Sequence, residues 1–288
     1  MKIKELWNKI RKGVKAGMAA ATESNVLTDN RVVSMIEKFK ASGKYELMKE
    51  GERYYQADND IKNRKITRKV DGHKEEETWR ANNKLAHAKY KIQVDEKIAY
   101  LLTKPVTYKT DGADKNDTYV EKVKDVLGKH FQYQLTQLGY EASNKGIGWL
   151  HVYLDPEGEL KTIVIPAEQC IPYWSDRSHT ELDAMIRVYN TTVWQYNQEK
   201  EITNVEIWTK DGVKYYRLEG QMLVYDNDKS MDAGGPVAHY KSVEEWKTWG
   251  KVPFIPFKNN QIEMPDIKFV KSLIDGYDLG RSEAANYM

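Results

Sequence analysis

Apolar residues return at three- and four-residue steps along five stretches of the chain, each the mark of one buried helical face. The first is short and basic, with Ile3, Leu6, Trp7, Ile10 and Val14 set among Lys2, Lys4, Lys9, Arg11, Lys12 and Lys15. The second runs from Arg31 to Tyr55. It places Val32, Ile36 and Phe39 before a break near Ser42-Gly43, and Leu47, Met48 and Tyr54 after it. The third, Leu85 to Leu102, keeps Ala86, Tyr90, Val94, Ile98 and Leu101 on one side until Lys104-Pro105 forces the chain extended into a short strand at Val106-Thr-Tyr108. The fourth spans Asp117 to Asn144, where Val120, Val123, Leu127, Phe131, Leu135 and Leu138 form the stripe and Gly146-Ile-Gly148 ends it. The fifth begins at Asp266 and carries Ile267, Val270, Leu273, Ile274, Tyr277, Ala284, Ala285 and Met288. No stop signal follows Met288, so a chain that continues is expected there.

Elsewhere the period changes. Residues 57–80 are polar, charged and aperiodic, which predicts an exposed loop. Trp149 to Leu154 and Leu160 to Ile165 read as paired strands joined by Asp155-Pro-Glu-Gly158, whose residue order suits a type I turn. Short strands follow at Ala184 to Tyr189, Val205 to Thr209, Val213 to Leu218 and Met222 to Tyr225, with a Lys210-Asp-Gly212 turn between the second and third. Helices first, an antiparallel meander second and a long helix last define an α+β fold.

Composition narrows the class. A chain of 288 residues, 40% of them hydrophobic, has material for a sizeable core or for two domains sharing one body. A single cysteine, Cys170, excludes an internal disulfide framework and reads as a buried structural thiol. No apolar run reaches the roughly eighteen residues of a membrane-spanning helix. Lysines and arginines interrupt the apolar positions of the first helix, which argues against a secretion signal. Its basic face suits a membrane surface or nucleic acid, and we read it as a partner-facing or loosely ordered terminal helix. The formal net charge of +2 is small for a protein that grips DNA through many phosphate contacts. Lys62, Arg64, Lys65, Arg68 and Lys69 cluster, but Glu75-Glu76-Glu77 lies close by.

Candidate chemistry is sparse. Asp155 with Glu159 and Lys161 has the residue types of a metal-dependent nuclease, yet the turn places Asp155 at a hairpin tip, where solvated carboxylates are ordinary. The histidines at 73, 87, 130, 151, 179 and 239 form no pair at ligand spacing on a helix face. Gly146-x-Gly148 follows a helix and opens a strand, the reverse of a nucleotide-binding loop. Eight tryptophans and nineteen tyrosines offer stacking surfaces, but those that can be placed fall on strands and helix stripes, where aromatics serve as core or interface anchors. No catalytic, metal or cofactor residue is expected.

Four segments, in order, resemble portal proteins of tailed double-stranded DNA bacteriophages, the type found in long-tailed phages of Gram-positive hosts. They are Asn82-Asn-Lys-Leu-Ala-His-Ala-Lys-Tyr90 through Tyr100-Leu-Leu-Thr-Lys-Pro-Val-Thr-Tyr108; Lys145-Gly-Ile-Gly-Trp-Leu-His-Val-Tyr153; Val252-Pro-Phe-Ile-Pro-Phe-Lys-Asn-Asn260; and Leu273-Ile-Asp-Gly-Tyr-Asp278 with Ser282 to Asn286. The resemblance implies a structural virion protein and not an enzyme: a homo-oligomeric ring, a dodecamer, at one capsid vertex, assembled in the host cytoplasm. Double-stranded DNA would pass through its channel during packaging and ejection. Its partners would be the terminase large subunit, the major capsid and scaffolding proteins, and head-completion or tail adaptor proteins, with no membrane and no cofactor. Residues 1–30 would form a basic terminal segment, 31–264 an α+β wing, and 265–288 the first stem helix, with clip, second stem helix, channel loop and crown beyond it. Leu273, Ile274, Asp275, Tyr277 and Arg281 on that helix are the candidate subunit-interface residues. Two other classes compete: a different structural virion component such as a minor head or adaptor protein, told apart by ring closure, and a metal-dependent nucleic-acid-processing enzyme, which Asp155→Ala would silence.

Overall fold

The computed structural model describes residues 27–109, 117–195, 198–230, 235–242 and 245–287. The first amphipathic stretch and Met288 therefore lie outside the described residues. The break near Ser42 separates α1 (Asp29–Lys40) from α2 (Gly43–Tyr55). Ser42 caps α2: its hydroxyl accepts from the Tyr45 amide at 3.2 Å and donates to the Phe39 carbonyl at 2.6 Å.

Residues 57–80 are more ordered than their composition predicts. A 3-10 turn at Asp60–Asn63 precedes a hairpin of β1 (Thr67–Val70) and β2 (His73–Glu76). Asp71 and Gly72 both take positive φ, 49° and 84°, the turn that matches strand twist and that Asp-Gly favours. The strands are almost wholly exposed and so lack the alternation that announces a strand.

Helix α3 (Lys89–Leu102) starts four residues later than the periodicity indicates, because the amides of Asn83, Leu85 and His87 donate to side chains of the C-terminal helix. No strand forms at 106–108. There the Val106 amide donates to the Gln132 side chain at 3.4 Å. The long fourth stripe is two helices, α4 (Asp117–Leu127) and α5 (Phe131–Lys145), since Gly128 adopts a left-handed φ of 71° and stops the first.

Gly146 ends α5 at φ 88°, donating its amide to the Ala142 carbonyl at 2.7 Å, and a Cβ there would overlap the backbone of Glu263. The chain then enters β3 (Ile147–Leu154), turns at Asp155–Gly158 and returns as β4 (Leu160–Ile165). The other edge of β3 is taken by β12 (Phe254–Lys258), a strand that Pro253 and Pro256 hide from sequence patterning and that is tolerated at a sheet edge.

The meander is a five-stranded antiparallel sheet ordered β5 (Cys170–Trp174), β6 (Leu182–Gln195), β7 (Gln198–Thr209), β8 (Gly212–Glu219), β9 (Met222–Tyr225). Strands β6 and β7 extend well beyond their expected ends into a two-stranded arm. A small hairpin, β10 (Tyr240–Ser242) and β11 (Glu245–Lys247), precedes β12.

Three apolar clusters hold these layers. Val32 and Ile36 of α1 pack on Ile186, Val188, Val205 and Ile207 of the larger sheet. Trp149, Ile165, Cys170, Met185, Trp208 and Phe254 join the two sheets. Cys170 is buried in this second cluster, and burial pushes its thiol well above the usual range. His151 lies there too. Burial lowers it to about 4, and the neutral ring donates from Nδ1 to the Pro253 carbonyl at 3.0 Å. Tyr54, Tyr90, Val94 and Ile98 form the third cluster with the C-terminal helix α6 (Ile267–Asn286).

Candidate subunit interface on the C-terminal helix

Helix α6 is apolar on two opposite faces. On the inner face Ile267 and Ile274 are buried in the third cluster with Val270 packed beside them. The start of the helix is fixed by Asp266, whose carboxylate accepts from Lys97 at 2.7 Å, Ser143 at 2.9 Å and Asn259 at 2.8 Å.

Beyond Ile274 the seat is polar. Asp275 accepts from the Tyr54 hydroxyl and pairs with Lys271 at 2.7 Å, while Lys271 also reaches Asp60 and Glu50. Burial and the bond to Asp275 push the Tyr54 hydroxyl up to about 12. Burial alone would lower Lys271, but Asp275, Asp60 and Tyr54 hold it above the ordinary lysine value. Asp278 is fully buried. Its carboxylate accepts from the Asn59 side chain, from the His87 amide at 3.1 Å and from His87 Nδ1 at 2.9 Å. Ser282, also buried, accepts from the Leu85 amide at 3.0 Å; Arg64 pairs with Glu283, and Asn286 accepts from the Asn83 amide at 2.8 Å. Residues 53–87 thus form a polar cradle for the second half of the helix.

The outer face is apolar and open. Phe269 is 58% exposed, Leu273 73% and Tyr287 81%. At helical spacing between them stand Gly276 and Gly280, with open space where a Cβ would be, and Ala284. Small residues there let another backbone come close. Tyr277, at the margin, leaves 43% of its surface exposed while its ring meets His87 edge-on and Lys89 lies over it at 5.2 Å.

Of the five residues singled out from the sequence, Leu273, Tyr277 and Arg281 are on the solvent side, Ile274 is core, and Asp275 serves the cradle. Phe269, Gly276 and Gly280 share that solvent side and were not among the five. Their signal was present as a second stripe at positions 269, 273, 276, 280 and 284, hidden because glycine adds nothing to an apolar count.

The residues with nuclease-like chemistry meet only as a local ion-pair cluster around the β3–β4 turn. Half-buried Asp155 accepts from the Glu159 amide at 2.8 Å inside its turn, and exposed Lys161 pairs with Glu159 at 2.7 Å and with Asp155 at 3.6 Å. Among the described residues no three His, Cys, Asp or Glu are grouped to hold a metal ion, and no helix is long and apolar enough to cross a membrane. His87, His151 and His179 are each engaged in separate parts of the fold.

The described residues form an α+β body whose terminal helix is buried along one face and leaves an apolar stripe open on the other. Residues 41–288 match the family described as phage portal protein, SPP1 Gp6-like, and the chain belongs to that family. It is 34% identical over 247 residues to the portal protein of Bacillus phage SPP1, covering 85% of this chain and 47% of that protein. It is 32% identical over 243 residues to the portal protein of Clostridium phage phiCD119, covering 81% of this chain and 50% of that one. The chain therefore spans about half the length of these curated relatives. Portal proteins are a structural family, not a class of enzyme.

Proposed function

We propose that this chain supplies the wing and first stem helix of a portal: a closed homo-oligomeric ring at a capsid vertex, through which double-stranded DNA is packaged and later leaves. Residues 31–264 form the wing, and α6 runs as the stem helix toward a clip. The single observation that carries this reading is the outer stripe of α6. A monomer gains nothing from Phe269, Leu273 and Tyr287 in water, whereas a neighbouring subunit packed over Gly276 and Gly280 would bury them at close backbone approach. Three of the sequence-selected interface residues, Leu273, Tyr277 and Arg281, lie on or beside that stripe; Ile274 and Asp275 hold the helix to its own subunit.

The near-balanced charge suits a conduit, since a wall that gripped phosphates would retard translocation. ATP chemistry then falls to a separate terminase large subunit. Capsid, scaffolding and adaptor proteins would dock on the ring during assembly in the host cytoplasm.

The test is negative-stain electron microscopy of the whole protein encoded by the open reading frame. Rings with a central channel wide enough for duplex DNA are expected. Monomers or small dimers would overturn the proposal. Charge reversal at Arg281 is expected to reduce ring yield, and a normally assembled variant would remove that residue from the interface.

A further inference from the structure

Exposed strand edges invite pairing with other chains, and proteins guard them with charges, prolines or short lengths. Among the described residues the open edges follow that rule with two exceptions. Strand β12 carries Pro256 and Lys258, β5 carries Pro172, β4 carries Lys161, and every strand of the small hairpins carries at least one charged residue. On the arm, β7 beyond the reach of β8 presents Glu199, Lys200 and Glu201. The exceptions are β6 after Arg187, where β5 ends, and the outer edge of β9. The first reads Val188-Tyr-Asn-Thr-Thr-Val-Trp194, and the second Met222-Leu-Val-Tyr225. Neither contains a charge, a proline or a glycine. The β-branched and aromatic residues of both are those that pair well in sheets.

Strand order gives the two edges their relation. In the sheet β5-β6-β7-β8-β9, the free edge of β6 faces the β5 side and the free edge of β9 faces the opposite way. Two different, unguarded edges pointing in opposite directions are what a head-to-tail contact between identical subunits needs, whereas an edge that pairs with itself closes at a dimer. Trp194, 72% exposed near the end of the arm, and Met222, 69% exposed on β9, are then covered by the contact. An isolated two-stranded arm is marginal in water, and a third strand stabilises it.

We infer that the free edge of β6 pairs with β9 of a second copy of this chain, so that the five-stranded sheets run on from subunit to subunit. The inference rests on the ring proposed above and adds a contact in the wing, apart from the helix stripe. Thr192→Cys and Val224→Cys, combined in the whole protein, test it with a short bismaleimide cross-linker that tolerates a shift of register. Native Cys170 is 1% exposed and stays out of the reaction. A denaturing gel is expected to show a ladder of covalent oligomers from the double variant and none from either single variant. Thr192→Lys, which installs a guard on an exposed position, is expected to lose most of the rings seen by electron microscopy.

Intact rings with no ladder from the double variant overturn the edge pairing and leave the ring standing. Covalent dimers from Thr192→Cys alone would mean arm-to-arm contact and overturn it equally. A monomeric unsubstituted protein overturns the ring itself, and this pairing with it.

Discussion

Glu263 is a single buried carboxylate facing two lysines and a histidine. Lys44 lies at 2.8 Å, His179 Nδ1 at 2.7 Å and Lys258 at 3.2 Å, and Lys258 and the His179 ring also stack on Trp174. Burial by itself would raise this carboxyl, but Lys44 and His179 hold it down at about 2, against an ordinary 4.5. The sign follows directly: the unfolded chain takes up the proton first, so the stabilisation is complete above about pH 4.5 and disappears as pH falls toward 2. Glu263→Gln should cost about 1–3 kcal/mol at neutral pH and flatten the acid limb of a stability curve in that window. Denaturant melts at stepped pH read both effects; an unchanged acid limb would show that the carboxylate contributes nothing. Gly51 makes a different demand. It lies in α2 against the end of α5, where a Cβ would overlap the carbonyl of Asn144. Gly51→Ala should therefore destabilise by about 1–3 kcal/mol despite alanine's better helix propensity, and a stabilised variant would mean the two helices separate freely.

At the scale of elements, α6 is the instructive case, because adjacent residues serve opposite purposes. Ile274 is 4% exposed and Leu273 is 73% exposed. Ile274→Ala should cost about 2–5 kcal/mol in the isolated subunit. Leu273→Asp should leave its melting temperature nearly unchanged while abolishing assembly. Circular dichroism melts paired with sedimentation velocity separate the two; equal stability losses would place Leu273 in the fold instead. The inner face was legible in the sequence since Ile267, Val270 and Ile274 keep the helical period. The cradle was not, because Asn59, His87 and Asp278 lie far apart in the chain and meet only after 59–87 folds back along α6. Local pattern also located the α1–α2 break, the β3–β4 pair and strands β6 to β9. It merged α4 with α5 because their stripes stay in phase across Gly128, and it missed β12, whose pairing to β3 spans about a hundred residues and whose prolines contradict a strand by local rules. Long-range partners, in short, supply what propensity withholds.

For the whole molecule, charge decides how assembly should respond to solution conditions. Forty-five basic and forty-three acidic residues leave this chain a formal charge of +2, so copies of it would repel weakly at long range. The surfaces proposed for subunit contact are mostly apolar or uncharged, with Phe269, Leu273, Gly276 and Gly280 on α6 and the open edges of β6 and β9, and Arg281 is a charge at the margin of the helix stripe. Screening removes interactions between exposed charges beyond about 10 Å at 0.1 M salt and about 3 Å at 1 M, but it leaves apolar burial intact. Ring yield in sedimentation velocity should accordingly hold steady or rise between about 0.1 and 1 M sodium chloride. Dissociation across that range would assign the ring to ion pairs such as one made by Arg281, and would move attention from the glycine-bearing stripe to the charged margin of the helix.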